Sequence, residues 1–355
     1  MAPCGGTPPA IHPGAMRTRP SSRRLRRFFA ALASAASFAC SGGAGGPAGP
    51  DPVSVQNAAS VSFQGQVRDQ NTGAALSGIR VSGGGSIAWS DADGRFAMVL
   101  PAGALLTLTG AGYYDRVAVV DGASGSFSIV PRSFDMSAFN DMARDYASGT
   151  VRWLSAPHVY VDVRAHDFSA GKTVPAEWVE QVVAQAPRFL SRWTGGALTA
   201  RSVTHGTAPP PPGTPGTLVI AFDENPGRYP SAAAAGVTVA SWDPDGAIRN
   251  ATIRLRFSGL TGDAASFSRQ AVLGHEIGHA LGLAHMDGPR ASMMNSVVRT
   301  PEPTAFDVAA GALLYDRRPG TRADDREALG VARSARTASA VASSAVCGVD
   351  LEAED

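Results

Sequence analysis

Residues 275–285 read His-Glu-Ile-Gly-His-Ala-Leu-Gly-Leu-Ala-His, and three of the chain's seven histidines fall in this run. Residues four apart on an α-helix project from one face, so His275 and His279 can reach the same ion. Zinc favours tetrahedral nitrogen coordination, and a catalytic site keeps one position for water. Two helical histidines cannot supply three ligands. Gly282, with no Cβ, can take the left-handed conformation that ends a helix, and the chain can then turn to present His285. Glu276 follows the first ligand, within reach of the water position. A bound ion lowers the pKa of that water to about 7 and polarises a substrate carbonyl. Glu276 is then expected to take the water's proton and pass it to the leaving amine. The reaction implied is hydrolysis at one zinc ion with no covalent intermediate, although three imidazoles alone do not exclude other divalent metals. Ala280, Leu281 and Leu283 show that the helix also faces a core. Core packing alone would leave three imidazoles and a carboxylate seeking partners inside an apolar helix. A purely structural zinc site would be closed by a fourth ligand and needs no adjacent base.

The flanking pattern supplies elements to hold this run. A helix is expected over 175–193, where Pro175 suits a first turn and Trp178, Val182, Ala186 and Leu190 share a face. Strands are expected at 158–163, 198–203, 217–222, 236–241 and 251–257, and the zinc helix from 264 or 265 to 282. His205, beside the proline-rich 209–215 loop, reads as a surface residue. Upstream, short alternating runs at 62–67, 78–82, 95–100, 105–109 and 116–120 are separated by turns such as Asp91-Ala92-Asp93-Gly94, which predicts a small β-sandwich. Asp91 and Asp93 read as turn residues, and calcium is not supported. Residues 131–150 read as a connecting segment, partly helical over 136–146.

The sequence resembles the metzincin clan of zinc endopeptidases, its matrixin-like members most. The zinc motif at 275–285 carries the resemblance first. Residues 291–296, Ala-Ser-Met-Met-Asn-Ser, look like the clan's Met-turn, whose methionine forms an apolar floor under the metal; Met294 is the choice, with Met293 the alternative. Thr304-Ala305-Phe306-Asp307 and the run to Tyr315 are similar to the matrixin C-terminal helix, and Asp307 suits a helix N-terminus. Three features depart from the pattern. Met286 follows the third histidine, the Met-turn has no tyrosine, and no Pro-Arg-Cys-Gly segment precedes the domain. Subfamily, latency mechanism and oxyanion donor therefore stay open. The upstream strands resemble the carboxypeptidase regulatory-like, transthyretin-like sandwich, through the Gly-x-Val-x-Asp opening, Ala92-Asp93-Gly94-Arg95-Phe96 and Pro101-Ala102-Gly103. The fold class implied is α+β: a metzincin-like domain with a mixed twisted sheet, long helix, zinc-binding helix, Met-turn and C-terminal helix, preceded by a small all-β sandwich. The resemblance also implies that 236–241 is an edge strand to which an extended peptide adds.

The 355-residue chain is 44% apolar with a net charge of +1, which gives no reason to propose nucleic acid or an anionic membrane surface as partner. Arg23, Arg24, Arg26 and Arg27 precede an apolar stretch at 28–39, too short to span a bilayer, so residues 1–40 read as an export leader whose true start could be Met16. Cys40 suggests lipidation and a surface anchor; cleavage with secretion is the other outcome. Lys172 is the single lysine, and with 40 glycines and 25 prolines this reads as bacterial codon bias. Cys4 and Cys347 lie in leader and tail, so no disulfide is expected within a domain. The boundaries expected are leader 1–40, linker 41–54, sandwich 55–130, connector 131–150, peptidase 151–320 and disordered tail 321–355. The function expected is that of an exported, monomeric zinc endopeptidase acting on protein or peptide, with Glu276 activating a zinc-bound water. The alternatives are a catalytically silent zinc-binding surface lipoprotein and a zinc hydrolase of a non-protein amide.

Overall fold

A computed structural model describes residues 60–327, apart from 102, 145, 146, 148, 169–172, 231–233, 259, 261–264, 287 and 299. Seven strands come first: β1 (Ser60–Asp69), β2 (Arg80–Gly83), β3 (Ser86–Trp89), β4 (Arg95–Pro101), β5 (Leu105–Thr109), β6 (Arg116–Val119) and β7 (Ser124–Ile129). They form a three-stranded sheet, β4-β1-β7, and a four-stranded sheet, β3-β2-β5-β6. Alternation along β1 buries Phe63 and Val67, which share one core with Phe96, Leu100, Leu106, Leu108, Phe127 and Ile129. Gly65 leaves room for the Phe96 ring, since a Cβ there would lie 2.9 Å from Phe96 Cε2. The Asp91 carboxylate accepts from Asp93 N at 2.9 Å and Arg95 N at 2.7 Å, so this acidic turn is built around its own backbone. Strands β3 and β7 were not expected. The Gly-Gly-Gly run at 83–85 and the Ser-Gly-Ser start of β7 hide them, and both are fixed by pairing rather than propensity.

The larger core is built on α1 (Met136–Arg144), β8 (His158–His166), α2 (Ala176–Trp193), β9 (Ser202–Gly206), β10 (Thr217–Asp223), β11 (Gly236–Trp242), β12 (Ile248–Leu255), α3 (Ala265–Ala280) and α4 (Ala305–Asp316). Its sheet has the order β11-β12-β10-β8-β9, with β11 antiparallel at one edge and the other pairings parallel. The central β10 is buried along nearly its whole length, as suits a parallel strand covered on both faces. On α2, Val182, Ala186, Phe189, Leu190 and Trp193 make one buried stripe against the sheet and α3.

Three sequence expectations need correction. Strand β9 lies at 202–206 rather than 198–203, because Leu198 is taken into the core by the turn after α2, where its amide donates to Thr194 Oγ1 at 2.9 Å. The 131–150 segment does not merely connect: Phe134, Met136, Phe139, Met142 and Ala143 are part of the larger core. Residues 321–327 are not tail. Thr321, Asp325 and Glu327 are buried, and this stretch pairs with β6 through Val117 N to Asp325 O (3.0 Å) and Glu327 N to Val117 O (2.9 Å). The local sequence is polar; its partner strand lies some 200 residues away, so no short-range pattern reports it. The leader, linker, Cys40 and the rest of the expected tail lie outside the described residues.

Candidate metal centre and active site

The zinc-helix motif occupies the last two turns of α3 and the loop that follows. From Ala271 to Ala280 every residue of this helix is buried. Two of its glycines are there for close approach. A Cβ at Gly274 would sit 2.8 Å from Met293 Sδ, and one at Gly278 would collide with Met294 Sδ and lie 3.1 Å from Trp193. Both methionines of the expected Met-turn thus rest against the helix, one under each glycine, and both are fully buried. The helix ends as the motif anticipates, although at Ala280 rather than 282. Gly282 has φ of 103°, and a side chain there would overlap Val151 O. Trp153 Nε1 donates to Ala280 O at 2.8 Å, satisfying one of the carbonyls left open at the helix end. Ala284 N donates to Met142 O at 2.7 Å and Met286 N to Met294 O at 2.9 Å, so backbone bonds pin both sides of His285. Asn295 Nδ2 also donates to Met286 O at 3.0 Å. Met286, the residue that departs from the family pattern, is buried and tied to the Met-turn.

These constraints bring His275, His279 and His285 together, with ligand-capable atoms all within 4.8 Å of one another. Their Nε2 atoms are 2.9 Å apart for His275–His279 and 3.1 Å for His275–His285. The other ring nitrogens fix the tautomers. His275 Nδ1 lies 2.6 Å from Met293 O, and His279 Nδ1 lies 2.7 Å from Leu283 O. A carbonyl can only accept, so each Nδ1 carries the hydrogen and each Nε2 presents a lone pair. Two buried lone pairs facing each other at this distance repel unless a cation lies between them or one ring takes a proton. Burial opposes the proton: it pushes His275 down to about 3 and His279 well below the usual imidazole value. Zinc bonds of about 2.0–2.1 Å in tetrahedral geometry set nitrogen ligands roughly 3.3 Å apart, close to the spacing observed. The donor set therefore fits a zinc ion. Among the described residues, no other group of three or more potential ligands comes together in this way. His205 stands exposed on β9, and His158 and His166 lie on β8 with Ser202 and Asp162 as partners.

Glu276 is fully buried between α3 and β11. Burial raises its carboxyl to about 8, and a hydrogen bond from Thr238 pulls the other way. Thr238 Oγ1 is 2.6 Å from Glu276 Oε2 and 3.0 Å from Glu276 O. Glu276 Oε1 is buried with no hydrogen-bond partner among the described residues. A nearby divalent cation would favour the charged form, and a water would satisfy the bare oxygen. Beside His279 and Gly282 a narrow cavity is lined by Val151, Thr238, Ala240 and Trp242.

Asp307 does two things at once. It closes a capping box with Thr304 at the start of α4, and the same carboxylate accepts from Met293 N at 2.8 Å and from the Ser292 hydroxyl. Sequence reasoning singled out Asp307 but missed Ser292, whose Oγ in turn accepts from Met294 N at 3.0 Å. Gly236 and Thr238 were also missed as neighbours of Glu276. The available signal was alternation: small and polar residues at 236 and 238 share the inward face of an otherwise apolar strand.

A parallel-centred sheet with an antiparallel edge strand, over a helix carrying this triad and closed below by a methionine turn, is the arrangement that the resemblance to metzincin-clan metalloproteases implies. Residues 199–312 match the family model described as matrixin, a span running from β9 through α3 and the Met-turn into α4. A matrixin domain implies zinc and zinc-dependent peptidase activity. No curated protein matches the chain.

Proposed function

We propose that this chain is an exported zinc-dependent endopeptidase in which His275, His279 and His285 hold the metal and Glu276 moves the proton. The observation that carries this reading is the approach of His275 Nε2 and His279 Nε2 to 2.9 Å with each Nδ1 turned to a carbonyl, together with the buried carboxylate of the adjoining Glu276, one oxygen of which has no hydrogen-bond partner among the described residues. Zinc, when bound, supplies Lewis acidity toward the substrate carbonyl and the attacking water. Glu276 takes a proton from that water and delivers it to the nitrogen of the departing amine. Met293 and Met294 keep the floor of the site apolar, while Asp307 and Ser292 hold their turn in place. Extended substrate adds to β11 by main-chain hydrogen bonds. Its half-buried stretch 239–242 is the accessible part, since Gly236, Val237 and Thr238 are buried. The seven N-terminal strands are read as a carboxypeptidase regulatory-like module, supported by their two-sheet arrangement around one core. Export rests on the Arg-rich start and short apolar stretch, with lipidation at Cys40 as the anchor; mass spectrometry of the mature N-terminus decides between a lipidated Cys40 and a free one.

Purified protein is expected to cleave casein or gelatin, to stop with chelator and to recover with zinc. Glu276→Gln is expected to lose about 10²–10⁴-fold in kcat while still taking up zinc. Undiminished cleavage by the Gln variant would rule out this role for Glu276. A chain that binds zinc but cleaves no peptide bond would instead favour a silent domain or a non-protein amide substrate.

A further inference from the structure

We propose that Gly236 and Thr238 form a slot on β11 that sets the position of the Glu276 carboxylate, making Thr238 a positioning residue for proton transfer. The two residues are separated by one position, so they face the same side of the strand. That side carries Glu276. At Gly236 the slot is steric: a Cβ would overlap Glu276 Oε1, the nearest atom, and would fall 2.6 Å from Cγ and 2.8 Å from Cδ. No positive φ requires glycine there, so the constraint is room for the carboxylate. At Thr238 the slot is a hydrogen bond. Its hydroxyl has the carboxylate Oε2 as its shorter acceptor, at 2.6 Å, with the Glu276 backbone oxygen at 3.0 Å. Oε2 is therefore hydrogen-bonded to the strand, while Oε1, seated against Gly236, has no hydrogen-bond partner among the described residues. A carboxylate that must collect a proton and release it to a different atom works best when its rotamer is fixed and one oxygen is kept for the transfer. The strand that we propose binds substrate is thus also the strand that aims the base, which couples substrate docking to the position of Glu276.

This inference rests on the proposed role of Glu276, and its test separates the two. The first arm uses chelator-stripped protein and no substrate: urea midpoints of wild type, Thr238→Val, Glu276→Ala and the double variant. If the hydroxyl holds the carboxylate, the midpoint lost on Thr238→Val shrinks by roughly half or more when Glu276 is already alanine. If it serves only the Glu276 backbone oxygen, the loss is the same in both backgrounds. The second arm measures kcat and KM of zinc-loaded enzyme at verified one-to-one metal content. Thr238→Val and Gly236→Ala are expected to lower kcat about tenfold or more with KM changed less than about twofold, and Thr238→Ser to recover most of kcat. Equal midpoint losses in the two backgrounds, or a Thr238→Val enzyme with kcat within about twofold of wild type, would overturn the slot. Should wild type show no peptidase activity, the reading of function fails, and the midpoint cycle alone decides whether the Thr238 hydroxyl seats the carboxylate.

Discussion

His275 and Glu276 are adjacent in sequence, and burial drives them in opposite directions, to about 3 and about 8. Unfolded, the histidine titrates near 6.5 and the glutamate near 4.5. Below pH 6.5 the unfolded chain binds protons at His275 and His279 that the folded chain refuses, so their contribution is lost as pH falls toward the folded value. Above pH 4.5 the folded chain keeps a proton on Glu276 that the unfolded chain gives up, so that contribution is lost as pH rises through about 8. Two histidines outweigh one glutamate below 6.5, and the glutamate acts alone above it. Urea midpoints of chelator-stripped protein are therefore expected to peak near pH 6.5 and decline on both sides, with Glu276→Gln flattening the alkaline side. A wild-type midpoint that climbs steadily from 6.5 to 8 would contradict this. Zinc is expected to abolish the alkaline decline, since a cation favours the ionised carboxylate.

At the scale of elements, α3 is held by what its glycines admit and α4 by what Asp307 accepts. Gly278→Val would drive a branched side chain into Met294 and Trp193. The expected cost is about 1–3 kcal/mol, typical of an overpacked core, read by urea denaturation. Asp307→Ala removes the acceptor for Thr304 N, Met293 N and the Ser292 hydroxyl. Leaving such donors unpaired costs about 1–3 kcal/mol each, and loosening the Met-turn is expected to weaken zinc affinity about tenfold. Unaltered zinc affinity in this variant would mean that the turn does not support the ligands. What was legible in sequence follows from range. The triad, Glu276 and Gly282 sit within eleven positions, where helical period and one glycine decide the geometry. Asp307 was legible because a capping box is local. Thr238 meets Glu276 across 38 residues, and Gly236 lies against the same carboxylate; alternation places 236 and 238 on one face of their strand, but only the packing of that strand on α3 makes Glu276 their neighbour. Strand β7 escaped for the same reason, being set by its parallel pairing with β1.

At the scale of the molecule, the N-terminal sheets and the peptidase core are joined through buried charge. Arg317, fully buried after α4, pairs with Asp325 at 2.6 Å and donates to Ser128 O of β7 at 3.3 Å. Arg116 of β6 pairs with Glu327 at 2.8 Å, and Glu327 Oε2 also accepts from Val119 N at 2.9 Å. Removing one member of a buried pair strands the other, so Arg317→Ala is expected to cost about 3–5 kcal/mol. Because the 321–327 stretch is shared, wild type is expected to unfold in one calorimetric transition; two separated transitions would show that the sheets are only tethered. The proposed chemistry depends on a cation that His275, His279 and His285 would hold together. Calorimetric titration of zinc into chelator-stripped protein tests it most directly. One ion per chain is expected for wild type and for Glu276→Gln, and none at this site once His275, His279 and His285 are all alanine. Folded wild-type protein that takes up no zinc, or a triple variant that takes it up as wild type does, would contradict it.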